Sequence, residues 1–168
     1  MGNLLFSPSG RIGPQEFTKG IMILAIISAI ITIIPMFSYS FGTMLSLVSV
    51  VLLFPLFCLL IKRSHDAGKS GWMSIVWFIL YIVVVGVISY IAQKLTMGDL
   101  GTQMEQATQA AAEEGDLAAI MAVAKEYGPQ IAKKTALPSA IASLVASYAF
   151  AFILNMILKT QSGENQYG

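Results

Sequence analysis

The chain has 168 residues and a formal net charge of +1, with 56% apolar and only 11% charged residues. A soluble domain carries roughly 25% charged residues, so this balance excludes an ordinary water-soluble globule and points to lipid as the solvent. The net charge itself says nothing about nucleic acid, and the single cysteine, Cys58, excludes an internal disulfide.

Four uncharged apolar runs follow one another along the chain: residues 20–37, 42–61, 72–93 and 137–158, of 18, 20, 22 and 22 residues. None contains Asp, Glu, Lys or Arg, and about 20 helical residues cross a hydrocarbon core about 30 Å thick, so each run can span a bilayer. Barrel strands would alternate apolar and polar over about ten residues, a pattern missing here. The first run, preceded by Arg11 and Lys19 and followed by Ser38-Tyr39-Ser40, has some features of a cleaved secretory signal. It is too long for a usual signal core, and Gly42 opens the next run almost at once, so it is read as a retained helix. Pro35 and Pro55 are expected to bend their helices near the ends, and Cys58 to pack. The fold class is all-α: one integral membrane four-helix bundle over residues 1–168, with an Ala-rich helical extramembrane loop.

Positive residues set the expected threading. Arg11, Lys19, Lys62, Arg63, Lys69 and Lys159 gather beside the first run, in the second loop and after the last run. Lys94, Lys125, Lys133 and Lys134 are diluted over the long third loop, so both termini and the second loop are expected in the cytoplasm.

The second loop, RSHDAGKSGW at 63–72, holds the only histidine. A phosphate loop needs glycine where Arg63 stands, with a strand before it. A metal site needs converging ligands, and adjacent His65 and Asp66 leave a helix in different directions. No serine or cysteine nucleophile stands in a recognisable motif beside them. The chain is therefore read as having no catalytic residues, metal or cofactor, and as a non-enzyme. The loop reads instead as a join between helices. Lys62 and Arg63 suit the negative end of the second helix and can snorkel to headgroups, Gly68 suits the position after its C-cap, Ser70 can cap the third helix, and Trp72 suits the interface. Asp66 is misplaced at a helix C-terminus unless Arg63, Lys69 or Arg11 compensates it.

Residues 98–135 are rich in Ala, Glu and Lys, punctuated by Gly115 and by Gly128-Pro129. Between these breaks Asp116 can cap a helix with Leu117, Ile120, Met121 and Ala124 on one apolar stripe. The stripe needs cover from the bundle's own mouth, the membrane face or a partner. In the last run Ser139, Ser143, Ser147, Ala151 and Asn155 recur every four residues, a face of small and polar groups that suits close helix packing. Its alternative use is to line a solute path.

Three blocks carry a family resemblance. KRSHDAGKSGW (62–72) resembles the R-R-L-H-D-x-G-R-S-G-W-W signature of the domain of unknown function 805 family; SGRIGPQEF (9–17) is similar to that family's G-R-x-x-R-x-x-[FY]-W entry, and GENQYG (163–168) to its G-x-N-x-[FY]-G ending. The positions carried over are Gly10, Arg11 and Phe17; Arg63, His65, Asp66, Gly68, Ser70, Gly71 and Trp72; and Gly163, Asn165, Tyr167 and Gly168. Pro14, Thr18, Ser64 and Met73 depart from the pattern, and the outer loop with a further span is an insertion. The resemblance implies a small bacterial inner-membrane protein and assigns no activity.

The expected function is an interaction or structural membrane module with a cytoplasmic polar cluster in which Arg11 or Arg63 holds Asp66. The alternative is a small-solute channel or transporter, as a monomer or oligomer, using the Ser/Asn face of the last span. The expected partners are the lipid bilayer and a membrane protein or second copy of the chain, with no nucleic acid.

Overall fold

A computed structural model of the chain describes residues 2–113, 115–163 and 167. Among these, the helices are α1 (Gly2–Phe6), α2 (Pro14–Ile33), α3 (Tyr39–Val48), α4 (Leu53–Asp66), α5 (Met73–Met97), α6 (Asp99–Glu113) and α7 (Leu117–Ile157), with no strand. Four stretches are long and apolar enough to cross a membrane: Pro14–Met36, Tyr39–Asp66, Met73–Met97 and Leu117–Ile157. The all-α class and the four membrane-length helices agree with the composition.

Pro14 opens α2 in its first turn, where its missing N–H has no intrahelical partner to lose. The helix ends in a 3-10 turn over Ile34–Met36, and the chain folds back so tightly that a Cβ on Gly42 would lie 2.6 Å from the Pro35 nitrogen. The second span is α3, a 3-10 turn at Ser49–Leu52, and α4. Pro55 in the first turn of α4 removes the amide that would bond the Val51 carbonyl, which accounts for the tightened backbone just before it.

In the bundle α7 packs along α2 and α5, and α4 closes the ring against the same two helices. The core lies toward the end that carries both the entry segment and the second loop, where Phe17, Ile21, Leu24, Leu56, Leu59, Leu60, Phe150, Ala151 and Leu154 are buried together. This is called the motif end. Toward the opposite, hairpin end, burial is sparse: α3 buries only Gly42, and the one buried residue of α5, Ser74, lies in its first turn at the motif end. Ile26, Ile30, Val83 and Phe152 are exposed on the bundle exterior, as expected where the solvent is itself apolar.

The hairpin departs from one sequence expectation and meets another. Gly115, with φ +66°, does separate α6 from α7, and Asp116 Oδ1 accepts from the Ala118 amide at 2.8 Å as an N-cap. Gly128-Pro129 does not interrupt the helix: α7 runs for 41 residues through both Pro129 and Pro138. Each interior proline costs about 3 kcal/mol, and the helix-favouring Ala, Lys and Glu around them, with α6, α2 and α5 packed alongside, offset that loss. At 1.5 Å per residue α7 is about 60 Å long, about twice a hydrocarbon core, so its first half stands beyond the span beside α6. Lys134 Nζ donates to the Met97 carbonyl at 2.8 Å and ties the end of α5 to α7 where the hairpin begins. Within the stripe, Leu117 and Met121 remain 70% and 64% exposed and Ala124 is exposed too, while Ile120 is half-buried, so most of it is left uncovered.

Candidate functional site

The site grows from the last turn of α4. Four successive helix-end features fix it: the Lys69 amide donates to the Ser64 carbonyl at 2.9 Å, the Gly68 amide to the His65 carbonyl at 3.0 Å, Gly68 takes φ +66°, and Ala67 is the C-cap. This is a Schellman closure, and its left-handed residue is the reason for glycine at 68. It places Arg63 and Asp66 one turn apart, pointing into the motif end. Arg63 is fully buried and the Asp66 side chain is 6% exposed.

Lys62 and Arg63 therefore do not snorkel to headgroups as expected. Lys62 Nζ donates to the Asn3 carbonyl at 2.7 Å and to the Leu4 carbonyl, anchoring α1. Arg63 makes four hydrogen bonds: Nε to Asn155 Oδ1 at 2.8 Å, one terminal nitrogen to Asp66 Oδ2 and to Thr160 Oγ1 at 3.2 Å, and the other to the Leu158 carbonyl. The physical reason is the presence of acceptors: the last turn of α7 and the chain after it return to this end with oxygens aimed inward, and a guanidinium so surrounded no longer needs water.

Asp66 is held from three sides. Its Oδ2 accepts from Arg63 and from Thr160 Oγ1 at 2.7 Å, and its Oδ1 lies 3.6 Å from Arg11. Both cations named from the sequence as alternatives thus meet it, while Lys69 is exposed. Arg11 also donates to the Gln161 carbonyl at 3.0 Å and the Gly163 carbonyl at 2.8 Å, and the Gln161 amide donates to the Asp66 carbonyl at 2.9 Å. Asn155 Nδ2 extends the network to Thr18 Oγ1 at 2.9 Å and the Pro14 carbonyl at 3.2 Å. Entry segment, second loop and ending are joined by one set of bonds.

Around this hub, Phe17 is fully buried in the core, and Gly10 takes φ +89° and offers its carbonyl to His65 Nδ1 at 3.3 Å. The His65 ring stacks on Tyr167 with centroids 3.8 Å apart and planes 5° from parallel. A Cβ on Gly71 would come within 3.1 Å of His65 Nε2, so the small residue leaves room for the ring. Ser70 is exposed and its hydroxyl approaches the Trp72 amide only at 3.4 Å, too long for the cap expected of it; the first amides of α5 bond the Ser70, Gly71 and Trp72 carbonyls instead. Trp72 is 80% exposed. Asn165 and Gly168 lie outside the described residues.

The proposed packing face of α7 divides. Ser147 is buried and its hydroxyl pairs with Tyr81 at 2.9 Å, Ala151 is fully buried, and Ser143 bonds the Ala140 carbonyl at 2.8 Å. Ser139 borders a cavity at the hairpin end, and Asn155 belongs to the polar hub. Thr160 and Gln161 are not among the residues the sequence singles out, and Thr18 stands there only as a departure from the family pattern; for Thr160 and Gln161 the available signal is their position where a fourth span returns polar residues to the motif side. Ser64, where the family pattern has leucine, is fully buried and its hydroxyl has no hydrogen-bond partner among the described residues. Among the described residues no three His, Cys, Asp or Glu side chains converge.

Fold and site together define an all-α, membrane-length four-helix bundle closed at one end by an Arg-Asp hub. The chain belongs to the family described as "Protein of unknown function (DUF805)", whose model matches residues 5–168. No curated protein and no solved structure matches it.

Proposed function

We propose that this chain is a non-enzymatic module of the bacterial inner membrane, with both termini and the motif end in the cytoplasm, that docks a membrane-protein partner or a second copy of itself on the surface above the hub. The observation that carries this reading is the contrast at the motif end: Arg63 and Asp66 are buried and committed to internal bonds, while Trp72, next to Lys69 and Ser70, is 80% exposed. A rigid base under an exposed indole suits recognition, since large side chains held without mobile supports lose little entropy on contact. The six positive residues grouped at this end support its cytoplasmic placement. The bonded state of Ser147 and Asn155 and the burial of Ala151 support packing, in preference to conduction, as the work of that α7 face. A photoreactive amino acid at Trp72, irradiated in native membranes, should give one discrete protein adduct that the same group at Ile26 does not give. A lipid-only pattern at both positions would contradict the reading.

A further inference from the structure

Two sizeable cavities lie toward the hairpin end of the bundle. One lobe, of about 550 Å³, lies between α2, α5 and α7; a second, of about 430 Å³, lies between α2, α3 and α4 with Tyr81 of α5 beneath it. Both are bordered by Thr32 and Pro35, so they adjoin at these two residues, and each is within the range of about 300–1,000 Å³ usual for ligand pockets. The lower lobe is closed toward the motif end by Tyr81, whose hydroxyl pairs with Ser147 and whose ring meets Phe150 edge-on at 5.1 Å.

The two lobes differ in chemistry. The lower one is walled by Leu24, Ile31, Leu52, Leu53 and Leu56 together with Ser28, Thr32, Ser46 and Ser49, the last three of which turn their hydroxyls to carbonyls of their own helix turns, and it extends from Pro35 to Leu24, about 16 Å along α2 at 1.5 Å per residue. Above Tyr81 no residue of α5 borders it, and α3 packs on the α2 elbow instead of on α5, so the wall stands open between α3 and α5 at membrane depth. The upper lobe presents Tyr39, Ser89, Gln93 and Ser139, whose side-chain polar atoms make no hydrogen bond with described residues, and no Asp, Glu, Lys or Arg borders it. Polar groups left unpaired at the edge of a hydrocarbon solvent call for a partner with hydrogen-bonding atoms.

We propose that this two-lobed vestibule binds a diacyl glycerophospholipid taken laterally from the leaflet at the hairpin end, one acyl chain filling the lower lobe and the ester and glycerol region meeting Gln93, Ser89, Tyr39 and Ser139. An apolar chain joined to uncharged ester acceptors is complementary to an apolar pocket below uncharged donors, and the side opening faces the phase in which such a molecule is the solvent.

The test uses the full chain in vesicles of phosphatidylethanolamine carrying a photoreactive group at the end of one acyl chain. Irradiation should place adducts on the α2 and α4 segments around Leu24 and Leu52, above the background at outward-facing Ile26 and Ile30. Gly86→Phe fills the upper lobe from a position where a Cβ meets nothing within 4 Å, and Ser28→Phe fills the lower lobe. In whichever of these variants elutes as the parent does, the adducts around Leu24 and Leu52 should fall to that background. Adducts that stay at parental level in the folded variant, or that are spread evenly over the exterior from the start, overturn the proposal. So does labelling of Ser28→Cys by an impermeant thiol reagent as fast as Ala110→Cys, which would show a water-filled vestibule.

Discussion

Replacing Asp66 by alanine removes the only carboxylate that meets Arg63 among the described residues. The guanidinium is fully buried, and what remains around it are neutral oxygens of Asn155, Thr160 and Leu158. Taking away one partner of a buried ion pair costs about 3–5 kcal/mol, and the three surviving acceptors place the expected loss at the low end, about 3 kcal/mol. For a chain of this length that is about 6–12 °C in the midpoint of thermal denaturation. Arg11 is a different case: its approach to Asp66 is 3.6 Å and its side chain is 18% exposed, so Arg11→Ala should lose clearly less. The readout is the fraction of protein still monodisperse in gel filtration after stepwise heating in mild detergent. Removing both charges together, Arg63→Met with Asp66→Leu, should be milder than Asp66→Ala alone, because no unpaired charge is left inside. An Asp66→Ala protein as stable as the parent, or a double variant that loses the sum of both single losses, would refute a buried Arg-Asp hub.

The same heating assay checks three smaller statements. Ser64→Ala removes a buried hydroxyl without a partner and should leave the midpoint unchanged or raise it by the equivalent of up to about 1 kcal/mol; a clear loss would mean the hydroxyl is bonded. Gly68→Ala forces a side chain into the left-handed residue of the Schellman closure and against Gln161, and should cost at least about 1 kcal/mol, whereas a neutral result would contradict that closure. Tyr81→Phe and Ser147→Ala should each lose about 0.5–1.5 kcal/mol and the double variant little more than one of them, the signature of a shared bond; strict additivity would deny the contact.

Much of this architecture is legible in the sequence because a bilayer demands it. Four charge-free runs long enough to span can hardly be anything else, and Gly115 with Asp116 announces a helix break and restart by local backbone chemistry alone. The continuity of α7 was not legible: proline penalises a helix locally, and what overrides it at Pro129 and Pro138 is packing by helices distant in sequence. At the motif end, charge placement narrowed the partners of Asp66 to nearby cations, but not to two at once, since that depends on where the ending returns. Asn155 does serve helix packing, through bonds to Thr18 of α2 and Arg63 of α4, but its spacing does not name those partners. A four-residue spacing groups it with Ser147 and Ala151, yet its depth, within the last turn of α7, sets it against Arg63 and Thr18. Burial of Arg63 reverses the snorkelling expectation because helix-end cations go to lipid headgroups only where the protein supplies no acceptors.

The placement of the motif end is open to a direct measurement. With Cys58 replaced by serine, single cysteines at the exposed positions Asn3, Lys69 and Ala110 are treated in intact cells with an impermeant thiol reagent. The account predicts labelling at 110 alone, with 3 and 69 reacting only after the membrane is opened. Labelling at 3 and 69 but not at 110 would put the Arg-Asp hub on the outer face and contradict a cytoplasmic docking surface.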